Sequence, residues 1–327
     1  MLLVTKDLTT GYSQKKEQVI IHEQLNISLP EGKMVALIGP NGSGKSTLLR
    51  TIAGLQKPLS GSVLVDGKNL FSCNNAEKST LISLVLTDRI EAGYLSVEQV
   101  ISFGRYPYTG WGGNLSPADW DRIEQAIILC HLERLAKKPF SQLSDGEKQR
   151  TMIARAIAQD TPIVVLDEPT AHLDLSYRVE ILSLLKQLSR NTNKSIVVAT
   201  HELDLAMHLA DQLWLMPAQH QFFSNIPEEL ALNGNISDSF NSALVQFDEW
   251  SGTFRINRHP TKFIKLTGAG PRAVWTQKAL EREGFGIDKK SETEVVLTEE
   301  AWCINNETVL TLTALISKAK EMLNEQA

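Results

Sequence analysis

Three short stretches carry residues whose types and spacing suit the chemistry of phosphate groups. The first, GPNGSGKST at residues 39–47, fits the pattern GxxxxGK[ST], with Gly39, Gly44, Lys45 and Ser46 in the required places. Glycines let successive backbone N–H groups converge on the β- and γ-phosphates of a nucleotide, a helix dipole adds partial positive charge, and Lys45 adds a full one. The Ser46 hydroxyl is then expected to ligate Mg²⁺. Pro40, Asn41, Gly42, Ser43 and Thr47 complete the expected cradle; the alternative is a plain glycine turn. The second stretch, IVVLDEPT, ends an apolar run in Asp167 and Glu168. Two carboxylates at the C-terminal tip of a parallel strand lie where open α/β sheets hold ligands. Asp167 is expected to steady the Mg²⁺ shell, and Glu168 to orient or deprotonate an attacking water. Alone, such a tip could equally be a strand ending in solvated acids. The third, LSDGEKQR, reads as the start of a helix from Glu147 to Gln159, with Ser144 as its cap.

The elements that must hold these stretches follow from periodicity. KMVALI reads as a buried strand ahead of the glycine loop, and the run from Ser46 to Ala53 as the helix behind it. Strands at Ile163, Ile196 and Leu213, separated by helical segments, predict an α/β core with a parallel sheet. Residues 1–38 alternate in short segments, as an antiparallel sheet does. Glu91 to Leu143 is mainly helical: Ser116, Pro117 and Asp119 signal a helix start, with Trp120, Ile123 and Ile127 on one face. A chain of 327 residues, 42% hydrophobic, predicts a large domain over residues 1–233 and a small α+β domain over 234–327, with NGNISDSFNS as linker. In the small domain, ALVQFDEW and GTFRIN predict a hairpin, FIKLTGAG a third strand and EVVLTEEAW a fourth. PRAVWTQKALEREGF and ETVLTLTALISKAKEML predict its helices. Gly268 and Gly270 between strand and helix fit an anion seat or a tight turn.

Composition excludes more than it assigns. A net charge of -5 offers no global basic field for nucleic acid. No apolar run approaches the ~18 residues a membrane span needs, and MLLVTKDLTT lacks the apolar region of a signal peptide, so a cytosolic chain is expected. Cys73, Cys130 and Cys303 fit no metal or disulfide spacing and read as packing residues.

Taken together, the motifs resemble the nucleotide-binding subunit of ATP-binding-cassette (ABC) transporters, P-loop NTPases with an added helical subdomain. Leu143, Ser144 and Gly146 match the LSGGQ-type signature of that family, and Asp145 and Glu147 depart from its commonest form. The resemblance implies ATP and Mg²⁺ as cofactors. It assigns Tyr12 to stacking on adenine, His201 to reaching the γ-phosphate, and Asp174 to a dimer-contacting loop that opens with Ala171 rather than the usual serine. Where the family has a Mg²⁺-touching glutamine, this chain offers Thr87, whose shorter hydroxyl reaches a metal only through water.

The resemblance also implies partners and cargo. FGRYPYTGW at Phe103–Trp111 is similar to the aromatic stretch of ATPase subunits that serve importers of ferric siderophores, haem and cobalamin; local packing is the alternative. A head-to-tail homodimer is implied, together with transmembrane permease subunits, a substrate-binding protein indirectly, and a place on the cytoplasmic face of the cell membrane. The small domain is expected to stabilise the dimer or regulate it. Two other readings stay open: a soluble cassette ATPase of translation or DNA repair, and a regulatory module that binds ATP with little hydrolysis.

Overall fold

The computed structural model describes all residues except 15–16, 87–92, 111, 218–220, 250 and 325–327. The chain forms two compact units, one of Met1–Asn241 with Phe247–Phe254, the other of Ser242–Gln246 with Arg255–Ala327. The first unit opens with β1 (Leu3–Gln14), β2 (Glu17–Leu25), β3 (Ser28–Leu29), β4 (Met34–Ile38) and α1 (Lys45–Ile52). Next come β5 (Ser60–Val65), β6 (Lys68–Asn69), α2 (Asn75–Leu81), β7 (Ile82–Val85), α3 (Val97–Ser102) and α4 (Pro117–Leu129). Then follow α5 (Asp145–Ala158), β8 (Ile163–Asp167), α6 (Leu175–Thr192), β9 (Ser195–Ala199) and α7 (Leu203–Leu209). The run closes with β10 (Gln212–Leu215), β11 (Phe223–Asn225), α8 (Pro227–Leu232) and α9 (Asn235–Phe240).

Strands β4, β8 and β9 are buried at every residue and apolar except for Asp167 at the tip of β8 and Ser195 at the start of β9, the mark of a parallel sheet covered on both faces. Their sheet runs β11-β10-β4-β9-β8-β7, parallel except for β11 at one edge. Because side chains alternate across a strand, each strand feeds two cores. Met34, Ala36 and Ile38 of β4 join Val164, Leu166, Ile196 and Val198 on one face. Val35 and Leu37 join Val165, Val197 and Ala199 on the other. The alternating N-terminal segments do form an antiparallel sheet, in which β1 pairs with β2, β3 and β5.

Two expectations for the first unit need correcting. Trp120 is 44% exposed, whereas Ile123 and Ile127 are buried. In the first turn of α4 it is Asp119 that turns inward, held by Arg105 Nε at 2.8 Å, and this buried ion pair takes the place that periodicity assigned to the tryptophan. The stretch NGNISDSFNS is not a linker throughout, since α9 forms within it. Ile236, fully buried, anchors that helix to the first unit's core.

After a two-stranded sheet of β12 (Val245–Asp248) and β13 (Thr253–Ile256), the second unit contains β14 (Lys262–Thr267), α10 (Pro271–Arg282) and β15 (Phe285–Ile287). It ends with β16 (Glu294–Leu297), β17 (Trp302–Ile304), β18 (Glu307–Val309) and α11 (Leu312–Asn324). Sheet order is β15-β14-β16-β17-β18, over a core of Ile264, Leu280, Phe285, Val295, Ile304, Leu315 and Ala319. EVVLTEEAW is not one strand. Thr298 and Ala301 exchange backbone and side-chain hydrogen bonds that turn the chain through Glu299 and Glu300, so Trp302 begins an antiparallel partner. ETV, read as helical, pairs as β18 before the last helix starts. Among the described residues, no helix is long and apolar enough to cross a membrane.

Candidate nucleotide-binding site

β4, β9 and β8 are neighbours in the sheet, so the residues that follow their C-terminal ends meet at one edge. The glycine loop leaves β4 at Gly39 and enters α1 through Gly44, which caps the helix at φ 91°. Two of its glycines have no room for a side chain. A Cβ on Gly39 would lie 2.4 Å from the Met216 carbonyl oxygen and 2.8 Å from Ser43 Oγ, and one on Gly44 would lie 2.3 Å from Ile21 Cγ2. Gly42, at φ 80°, has open space around it and is required for its backbone alone. Lys45 is buried, and its Nζ donates to the carbonyls of Gly39 at 2.8 Å and Pro40 at 3.1 Å. Burial pushes this ammonium below its usual range, against the upward pull of Glu168 and Asp167.

At the tip of β8, Ser46 Oγ donates to Asp167 Oδ1 at 3.4 Å. Burial raises the Asp167 carboxyl above its ordinary value, partly offset by the Ser46 hydrogen bond. A hydroxyl and a carboxylate side by side are the hard oxygen donors that suit Mg²⁺. Ser43 Oγ is buried in the loop with no hydrogen-bond partner among the described residues, a polar lining fit for a phosphate. Glu168 holds φ 50°, a left-handed conformation rare outside glycine. Its amide donates to the Ala199 carbonyl at the end of β9, and its Oε1 accepts from His201 Nε2 at 2.6 Å. Tyr12 reaches the same region from β1, its hydroxyl 2.5 Å from Thr47 Oγ1 in α1 and its side chain partly exposed.

The signature residues sit apart from this cluster, at the N-terminus of α5. Ser144 caps the helix and Glu147 completes a capping box, accepting from the Ser144 amide at 2.8 Å. That hydrogen bond holds the Glu147 carboxyl below its ordinary value. Asp145 pairs with Lys148 at 3.6 Å. Both acids therefore suit the positive end of a helix dipole. Leu143 is buried, and a Cβ on Gly146 would strike the Tyr177 ring of α6 at 2.6 Å. Asp174 caps α6, accepting from the Tyr177 amide at 3.0 Å. Thr87 lies outside the described residues.

Sequence reasoning missed two groups. Arg178 donates to the Leu173 carbonyl at 2.7 Å and to Glu202 Oε1 at 2.6 Å, tying the Asp174 loop to the segment that carries His201. His22, buried on β2, contacts the Ser43 carbonyl at 2.8 Å. Neither belongs to a contiguous motif, and no sequence signal points to them.

Comparison with known proteins places the chain in a family. The ABC transporter family matches residues 22–171, and the iron ABC transporter C-terminal domain matches residues 261–318, within the second unit. The achromobactin transport ATP-binding protein CbrD of Dickeya dadantii is 37% identical over 241 residues, 73% of this chain and 87% of that one. The chain belongs to the ABC transporter ATP-binding proteins. The cobalamin import ATP-binding protein BtuD of Halobacterium salinarum matches this ABC protein at 31% identity over 85% of the chain and 71% of its own. A dimeric bacterial ABC transporter cassette of known structure superposes with TM-score 0.56 at 30% identity, covering 65% of this chain and 94% of that one. The same cassette, bound to ADP and Pi in a post-hydrolysis state, gives the same score at 29% identity.

Proposed function

We propose that this chain is the ATP-hydrolysing subunit of an importer of ferric siderophores. The single observation that carries the catalytic part is the convergence of Lys45, Ser46, Asp167, Glu168 and His201 at the tips of three adjacent parallel strands. Backbone amides of the Gly39–Thr47 loop and the Lys45 ammonium bind the β- and γ-phosphates, and the Tyr12 ring stacks on adenine. Ser46 and Asp167 hold Mg²⁺, which neutralises charge that develops on the phosphates. Glu168 accepts the proton of the attacking water, and His201, whose Nε2 contacts that carboxylate at 2.6 Å, reaches the γ-phosphate when nucleotide is bound.

Two copies of the chain work as a head-to-tail pair, in which Leu143–Glu147 of one close over the nucleotide of the other and Asp174 lies at the contact. ATP closes the pair and hydrolysis reopens it, and the motion passes to permease subunits at the cytoplasmic face of the membrane, which receive cargo from a substrate-binding protein. Iron as cargo is supported by the match of residues 261–318 to an iron transporter domain and by the achromobactin relative. Within the 234–327 span, the second unit, Ser242–Gln246 with Arg255–Ala327, acts as a regulatory or dimer-stabilising domain.

The test is Glu168→Gln, expected to keep ATP binding and lose roughly 10²–10⁴ in the rate of phosphate release. Near-normal hydrolysis would reject the base assignment. In cells whose only copy carries this change, uptake of siderophore-bound iron is expected to stop; intact iron uptake with cobalamin or haem uptake lost would move the cargo to that class.

A further inference from the structure

Of the contacts made by the glycine loop, one comes from a side chain far from any phosphate motif. His22 of β2 is 2% exposed, and its two ring nitrogens are both engaged, Nδ1 with Thr10 Oγ1 and Nε2 with the Ser43 carbonyl, each at 2.8 Å. A carbonyl oxygen only accepts, so Nε2 carries a proton; in the neutral ring, Nδ1 then accepts from the Thr10 hydroxyl. Thr10 and His22 are cross-strand partners between two register shifts of the β1–β2 ladder. Such irregularities re-aim side chains. The imidazole also abuts the loop directly, since a Cβ on Gly44 would fall 2.5 Å from His22 Cε1.

A peptide unit is planar and trans, so its carbonyl and the following N–H point in opposite directions. Anchoring the Ser43 carbonyl on His22 therefore turns the Gly44 N–H away from the imidazole. Gly44 caps α1, so this N–H stands at the mouth of the helix among the donors that an anion meets.

We propose that His22 is a positioning residue that presets the Ser43–Gly44 peptide, so that the loop meets the phosphates of ATP with its amides already aimed. The inference rests on the nucleotide reading of the loop and adds a side chain that this reading does not include. A preset loop loses less freedom on binding, so its effect falls on nucleotide affinity rather than on the chemical step.

Three replacements separate this role from mere packing. His22→Leu removes both hydrogen bonds. His22→Gln places an amide N–H near the position of Nε2, whereas His22→Asn reaches only as far as Nδ1. Equilibrium titration with ATP and steady-state phosphate release would be measured on the full-length chain. The Leu and Asn variants are expected to weaken ATP affinity and raise KM by about tenfold, with kcat changed less than about twofold, and Gln to restore wild-type values. If Leu does not fold, the contrast between Gln and Asn carries the test. Equal affinity of Gln and Asn, or a fall in kcat at unchanged KM, would overturn the proposal. Failure of the wild-type chain itself to bind ATP would instead remove the nucleotide reading on which it stands.

Discussion

The chain contains two strand–glycine–helix junctions that read alike in sequence and differ in the fold. One joins β4 to α1 through Gly39–Gly44; the other joins β14 to α10 through Gly268–Gly270. In the first, every residue of the strand is buried and the helix begins with a buried Lys45 followed by Ser46, which donates to Asp167. In the second, the strand buries only Ile264, and the helix begins with Pro271, which has no N–H to offer an anion. The cation there, Arg272, is committed elsewhere: it bonds the Thr298 and Glu299 carbonyls and stacks over Trp302 at 3.7 Å. A glycine loop at a helix N-terminus becomes a phosphate site when its amides converge and a buried cation stands beside them. The Gly268–Gly270 junction lacks the buried cation and the first helical N–H, and reads as a tight turn.

Substitution of the two cations is the strongest way to break this comparison. Lys45→Met is expected to lower kcat/KM for ATP by about 10²–10³, whereas Arg272→Met is expected to leave phosphate release unchanged. A comparable loss in the second variant would make the second junction a nucleotide site. Smaller in effect, alanine at the two helix caps sharpens the contrast. Gly270→Ala meets open space but is forced to φ 82°, ψ −173°, a region nearly exclusive to glycine, and is expected to cost about 1–3 kcal/mol in denaturant unfolding while hydrolysis persists. Gly44→Ala adds a clash with Ile21 and His22 to a left-handed φ of 91° and is expected to weaken ATP binding about tenfold in equilibrium titration.

The smallest effect concerns Asp167. Its carboxyl is raised in the fold by burial, which penalises the charged form relative to the unfolded chain. The stability this group contributes is fully present below its unfolded value of 3.8 and is lost as pH rises through the higher folded value. Asp167→Asn is expected to raise the unfolding midpoint at pH 7, with the gain shrinking in acid, and at the same time to impair hydrolysis. A variant less stable than wild type at neutral pH would show that the hydrogen bonds of the carboxylate outweigh its burial.

Motif-borne parts of the site were legible because each lies in one contiguous stretch, where loop conformation, helix start and strand end follow from local residue types. The cap at Ser144 and its reciprocal bond with Glu147 are of this kind. Legibility failed where burial decides. Trp120 fits a helical period, yet the ion pair of Asp119 with Arg105 takes the inward place, and Ile236 anchors a helix inside a stretch polar enough to read as linker.

By itself, then, the sequence determined the phosphate loop, the acidic strand tip, the signature helix and the α/β class, since apolar strands flanked by helices have few ways to bury both faces. Only the tertiary structure decided that β9 lies between β4 and β8, which brings His201 against Glu168. It also decided that His22 and Arg178 brace loops distant in sequence. The physical reason is that strand order and long-range hydrogen bonds depend on how separate elements share one core, and residue spacing along the chain does not record that.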